Sequence, residues 1–436
     1  MRRVLTVLVA LLVVLATAGA GWTTDHGNNL RSGNATSAAS FKKLTGAFDR
    51  RLDGAVYGSP IMVGSNLIVA TENNTVYALD PATGAVRWSR HLRSPIRNTG
   101  AVLACAGNID PTGITGTPAY DATTNRVFVV TVTYSARTGV THELWGLTPT
   151  TGAVQLTKRV EVPGTDSRAQ QQRAALAVDR GNVYIAFGGL AGDCGNYKGA
   201  VLSIKANGAA GGKAYVVPTP REGAIWAPGG PVVAPNGHLF VAVGNGGSTT
   251  KFDYSDSITE IDPATMTRVD YFAPRSWASD NANDLDLGSM TPAYTSAGYI
   301  FQAGKSGTAY TARIGHLGGI GGQVHSASIC RAFGVSAVTG SSVYMPCTNG
   351  VTRVDVLGNG TMVTQWTAAN IPGSPIAGPG AIYSLGGTRL YALSRDNGRT
   401  LGSINVGTTT RFATPMLVGK LIYVGTTTGI VAAHVA

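Results

Sequence analysis

Four segments in the middle of the chain gather the side chains best suited to chemistry. A Gly-rich loop at residues 187–199 presents Asp193, and residues 223–231 place Trp226 just before an apolar strand. Residues 243–246 read Val-Gly-Asn-Gly around Asn245 and are followed by Asp253. Residues 280–289 hold Asp280, Asp284 and Asp286, and the tight turn Gly304-Lys-Ser-Gly307 presents Lys305. Carboxylates can take a proton or hold a cation, an indole offers a flat apolar face, and an ammonium attracts anions. The same types have plainer uses. Asp in a Gly-rich loop caps turns by accepting backbone N–H groups, Trp226 can be ordinary packing, and Lys305 can be a solvated turn residue. Gly304–Gly307 is too short for a phosphate loop, the seven histidines have no metal-ligand spacing, and no Ser/His/Asp set stands out.

Whatever these groups do, repeated strands must position them. A small residue followed by Pro opens a short apolar strand six times: Ser59-Pro60, Thr117-Pro118, Gly230-Pro231, Thr291-Pro292, Ser374-Pro375 and Thr414-Pro415. The intervals between these prolines are 58, 113, 61, 83 and 40 residues. Halving the two long gaps exposes two units that lack the Pro. They fit Arg173–Ala177 with Val183–Ala186, and Gly334–Ala337 with Val343–Met345. Eight multi-strand units of this period predict an all-β, eight-bladed propeller of four-stranded antiparallel blades. The last unit has room for three strands only, so the stretch Leu44–Leu52 is expected to supply the fourth and close the ring. Units one to four run to 56–61 residues and units six to eight to about 40 or fewer. The surplus lies in loops around 92–116, 164–172, 189–198, 244–256 and 272–288, where binding groups usually sit.

Composition agrees with a single closed domain over residues 21–436. Charged residues are only 13%, and Gly accounts for 58 of 436, as short strands joined by tight turns require. Residues 1–20 have a basic start, an apolar run and A-x-A sites, which describe a secretory signal peptide cut after Ala18 or Ala20. The alternative is an uncleaved N-terminal anchor, and no later stretch is apolar enough to span a bilayer. The expected location is therefore extracellular or in the cell envelope. Four cysteines in an exported chain allow two disulfides in three connectivities. Cys330 and Cys347 flank the strand pair of one unit and are paired, which leaves Cys105 with Cys194. The net charge of +11 is scattered, without the basic runs and interleaved aromatics of a nucleic-acid surface.

The first complete unit ends in Ala78-Leu-Asp-Pro-Ala-Thr-Gly-Ala-Val-Arg-Trp88, with weaker copies at 146–152, 260–265 and 392–398. This A-L-D-x-x-T-G-x-x-x-W unit, repeated over essentially the whole mature chain, resembles the PQQ-repeat propellers, the fold of quinoprotein alcohol dehydrogenases. Outer-membrane assembly propellers share the repeat without binding a quinone. The resemblance implies roles for the four segments. Asp193 and Asn245 would bind Ca²⁺, Asp286 or Asp284 would act as base, Trp226 would underlie the planar quinone, and Lys305 would contact its oxygens. One departure stands out: the dehydrogenases place two adjacent cysteines over the quinone, where this chain has Ala104-Cys105.

Two functions follow. The first is an exported, monomeric binding module for a protein, glycan or small-molecule ligand. The second is a PQQ- and Ca²⁺-dependent dehydrogenase acting on an alcohol or sugar in the central channel. It would use an external electron acceptor, because no C-x-x-C-H motif for a covalent haem is present.

Overall fold

The computed structural model describes residues 21–105, 109–410 and 412–436. The leader expected over residues 1–20 lies outside them. Eight sheets follow one another in chain order, each built on four antiparallel strands, and the fourth adds Gly319–Ile320 in parallel beside Thr267–Ala273. In blade one these are Ile61–Val63, Asn66–Ala70, Thr75–Leu79 and Val86–His91. The first is fully buried and the last almost wholly exposed, so burial falls from the axis to the rim. Thr45–Arg51 pairs with Gly429–His434 and completes the eighth sheet, closing the ring as expected.

Both recurrent motifs now have a physical purpose. The hydroxyl residue before Pro latches neighbouring blades. Thr117 Oγ1 accepts the Ser59 N–H at 2.8 Å, Thr291 Oγ1 that of Gly229 at 3.0 Å, and Ser374 Oγ that of Val335 at 3.1 Å. The Gly of the A-L-D-x-x-T-G turn receives an aromatic ring from the preceding blade. A Cβ at Gly152, where φ is +65°, would lie 2.5 Å from the Trp88 ring, and Trp88 Nε1 donates to Pro149 O. Gly398 takes Trp366 in the same way.

In the two Pro-less units the first strand lies further on than expected, at Ala177–Asp179 and Ala337–Thr339. The preceding residues spend their main chain on neighbours. Ala175 N–H donates to Pro228 O and Leu176 N–H to Thr117 O, while Gly334 N–H donates to Ser289 O. These segments are therefore blade-to-blade ties rather than strand.

Residues 21–41 form a plug across one end of the channel. The plug pairs its main chain with the innermost strands: Met62 N–H to Trp22 O, Tyr120 N–H to Thr23 O, Val233 N–H to Asn29 O, Val338 N–H to Ser32 O, and Ala377 with Gly33 and Ala35. Arg31 is 1% exposed and donates to Thr24 Oγ1, Leu176 O and Pro231 O. His26, also buried, bridges Asp25 Oδ2 and Pro375 O. Burial lowers the Arg31 pKa to about 10, opposed by the charge of Asp25.

Candidate functional site

Each blade enters its innermost strand at the end opposite the plug, and the turn between its second and third strands returns there. Those segments surround a cavity of about 580 Å³. Asp193, Trp226, Asn245, Asp284, Asp286 and Lys305 all line it. Asp193, Asn245 and Lys305 come from second-to-third strand turns of three successive blades. Trp226 and Asp286 come from the approaches to the innermost strands Val232–Val233 and Ala293–Tyr294. Asp253 belongs elsewhere. Its Oδ1 accepts the N–H and hydroxyl of Ser255, and the residue is buried behind the wall as a turn-holding group.

The acid–base centre is Asp286 with Lys305. Asp286 is 3% exposed; its Oδ1 accepts the Asn245 N–H at 2.7 Å and its Oδ2 lies 2.5 Å from Lys305 Nζ. Lys305 also donates to Asp284 Oδ1 at 2.6 Å. Burial raises the Asp286 pKa against the opposing pull of Lys305. Burial works against the Lys305 ammonium, but Asp286 and Asp284 outweigh it and keep the group charged. Behind them Asp256 accepts the Leu287 N–H, and burial followed by the charge of Asp286 pushes its pKa well above the usual range. The Gly of Val-Gly-Asn-Gly makes this packing possible, since a Cβ at Gly244 would stand 2.1 Å from Asp286 Oδ1.

Trp226 lies under two cations, Lys305 Nζ 5.9 Å and the Arg173 guanidinium 5.6 Å from its ring centroid. Phe412 and Phe333 flank it at 6.0 and 6.3 Å. Asp193 sits at φ +51° and accepts the buried Tyr197 hydroxyl at 2.5 Å, which with burial raises the phenol's pKa. The Cys105–Cys194 disulfide fastens this loop to the segment after the short helix Thr99–Val102, and Cys330–Cys347 forms as well. Both pairings match the expected connectivity.

Sequence reading missed Tyr57, Arg173, Arg331, Phe333 and Phe412, which line the same cavity. A signal was there for some of them. Tyr57 and Phe412 stand three residues before Pro60 and Pro415, on the approaches that converge on the mouth. Glu72 was also missed. It is fully buried, accepts the Gly113 N–H and the Thr115 hydroxyl, and burial raises its pKa to about 7 despite those bonds.

The two implied cofactors fit differently. A flat ring carrying several carboxylates suits an indole face overlooked by Arg173 and Lys305, with Arg331 also on the wall. Calcium takes six to eight oxygen ligands. Asp193 and Asn245 offer two side chains, Asp286 is engaged by Lys305, and among the described residues no three His, Cys, Asp or Glu side chains group as a metal set. The protein side chains therefore fit the ring and do not by themselves fit the ion.

No curated protein matches the chain in sequence. Solved structures share its fold. The quinohemoprotein alcohol dehydrogenase of Comamonas testosteroni is 16% identical with a TM-score of 0.73, covering 96% of this chain and 81% of that one. A europium-containing methanol dehydrogenase is 13% identical at 0.69, covering 94% and 90%. BamB of Moraxella catarrhalis is 14% identical at 0.60, covering 90% and 97%. The model of the PQQ_2 family, described as outer membrane protein assembly factor BamB, matches residues 15–270, more than half of the 436. With eight closed blades and the repeat legible in its turns, this chain belongs to the PQQ_2 family of β-propellers.

Proposed function

We propose that this chain is an exported binding propeller whose channel mouth takes a flat, multiply anionic ring molecule, with the quinone PQQ as first candidate. The observation that carries this reading is Trp226, set in a cavity of about 580 Å³ with Lys305 and Arg173 within 6 Å of its ring centroid. That volume is typical of small-molecule sites. The indole supplies a stacking face and the cations supply charge complementarity, which together select flat anions over neutral or cationic rings. Two disulfides and the leader-like residues 1–20 support an extracytoplasmic location.

A second reading, a dehydrogenase of an alcohol or sugar with an external electron acceptor, draws on one further observation. Asp286, Asp284 and Lys305 meet in the same cavity. PQQ, when bound, would supply the redox chemistry. Asp286 would accept the substrate hydroxyl proton. Burial strengthens it as a base against the pull of Lys305, and Lys305 can turn from Asp284 toward an anionic oxygen of the ring.

The test is a titration of the mature protein with PQQ, with and without Ca²⁺. A perturbed quinone spectrum saturating at one equivalent in the micromolar range is expected. Trp226→Leu and Lys305→Ala should each weaken it at least tenfold without unfolding the protein. No spectral change at micromolar PQQ would overturn the ring-binding site. Dye-linked alcohol oxidation that disappears in Asp286→Asn, with quinone binding retained, would establish the enzyme; binding without turnover would establish the binding module.

A further inference from the structure

Two carboxylates at the mouth share one cation that belongs to the chain itself. Lys305 Nζ lies 2.5 Å from Asp286 Oδ2 and 2.6 Å from Asp284 Oδ1. Its side chain is 19% exposed and that of Asp286 4%, so the pair is largely desolvated yet still reaches the cavity. The main chain fixes the ammonium as firmly as the side chains do. Lys305 N–H donates to Asp286 O at 2.9 Å, and Lys305 O accepts the Arg331 Nε proton at 2.9 Å. A Cβ at Gly304 would stand 2.4 Å from Asp286 O, so this close approach of the two segments requires glycine there. Backbone and side chain of Lys305 are thus both held on one residue, Asp286.

The oxygens that a divalent ion would use are committed to other donors. Asp286 Oδ1 accepts the Asn245 N–H at 2.7 Å, Asn245 O accepts the Gly223 N–H at 2.7 Å, and Asp193 Oδ1 accepts the Tyr197 hydroxyl at 2.5 Å. An oxygen that already receives a donor has fewer lone pairs free for an ion. An ion on Asp286 would also stand a few ångströms from an ammonium bonded to the same group, where like charges repel strongly. Calcium, which takes six to eight oxygens, and Lys305 therefore compete for the same carboxylates. Lys305 has the advantage of its tether, which presents the ammonium at a high effective concentration.

We propose that Lys305 is the resident cation of the mouth and serves in place of a divalent metal: it neutralises Asp286 and faces the anionic oxygens of the ring, so the ring binds without a metal ion. This rests on the reading of the mouth as a site for a flat anion, and it names the cation that serves that site. Calcium gains a place among Asp284, Asp286 and their neighbours only when the ammonium is removed.

Calorimetry with Ca²⁺ alone and luminescence of Tb³⁺ alone, sensitised through Trp226, test this on the mature protein before any quinone is added. The parent should show no one-equivalent Ca²⁺ site tighter than about 1 mM, the weak end of extracellular calcium modules. Lys305→Ala frees two carboxylate oxygens and should bind both ions at least tenfold more tightly, while Lys305→Arg should stay like the parent. Asp286→Asn added to Lys305→Ala should cancel the gain, and thermal denaturation checks that each variant is folded. PQQ should then titrate the parent equally in EDTA and in Ca²⁺, whereas Lys305→Ala should bind it weakly in EDTA and at least threefold more tightly in Ca²⁺. A tighter one-equivalent Ca²⁺ site in the parent, a PQQ titration abolished by EDTA, or no gain of metal affinity in Lys305→Ala would overturn the proposal. The gain of metal affinity without any PQQ binding would leave Lys305 as the resident cation and remove the ring site; PQQ binding that depends on Ca²⁺ would do the opposite.

Discussion

The channel is stopped at one end by Arg31 and lined at the other by Lys305, and both are cations held among blades. Their partners differ in kind. Arg31 gives its protons to Thr24 Oγ1 and to main-chain oxygens of Leu176 and Pro231, from two different blades. Such oxygens are fixed by the sheets and cannot leave. Lys305 pairs with the side chains of Asp284 and Asp286 at the edge of a cavity, and Asp284 is 64% exposed. A side-chain partner that reaches solvent can be exchanged for a ligand's oxygen. A buried cation tied to main chain fastens the fold, whereas one tied to an exposed carboxylate can serve a ligand.

Three outcomes would break or sharpen that contrast, taken from the largest effect down. Arg31→Met strands the Pro231 carbonyl, leaves Leu176 O with the Thr24 hydroxyl alone and loosens the plug, so chemical denaturation should report a loss of about 3–5 kcal/mol. A loss below about 1 kcal/mol would show that the plug is not fastened by this side chain. Next come the disulfides. Removing Cys105–Cys194, which closes 89 residues, or Cys330–Cys347, which closes 17, should cost about 2–4 kcal/mol each. Only the Cys105→Ser/Cys194→Ser double variant should also weaken PQQ, because it frees the loop of Asp193; equal effects on affinity would deny the loop that role.

The third concerns Glu72, beside the mouth. Its folded pKa of about 7 lies above the ordinary 4.5, so the folded chain holds a proton that the unfolded chain releases. Its contribution is complete below pH 4.5 and is lost as pH rises through 7. Glu72→Gln should match the parent at pH 4 and exceed it above pH 7, by at most about 3 kcal/mol. Melting temperatures across that range check the sign, and parallel curves would refute it.

Much of the architecture could be read from the chain because it repeats. Eight units, the Asp80–Gly84 turn and the borrowed strand before Asp53 are local patterns of Pro, Gly and alternating apolar residues, and local geometry enforces them. The plug could not be read in this way. Asp25, His26 and Arg31 look like an ordinary polar start, and their partners are carbonyls as much as 349 residues distant. The site was partly legible. The Asp, Asn, Trp and Lys of the long loops could be picked out by type and by resemblance, and they meet in one cavity. Asp253 passed the same test of type yet lies behind the wall, bonded to Ser255.

The sequence by itself determined how many blades there are, how the ring closes and which loops carry polar groups, because strand period and turn chemistry act over a few residues. Only the tertiary structure decided which carboxylate faces Lys305, which cation is locked into carbonyls, and that Phe333 and Phe412 flank Trp226. Those facts depend on side chains from different blades arriving at one point. Their distances are set by the closure of the whole ring, which no short stretch of chain encodes.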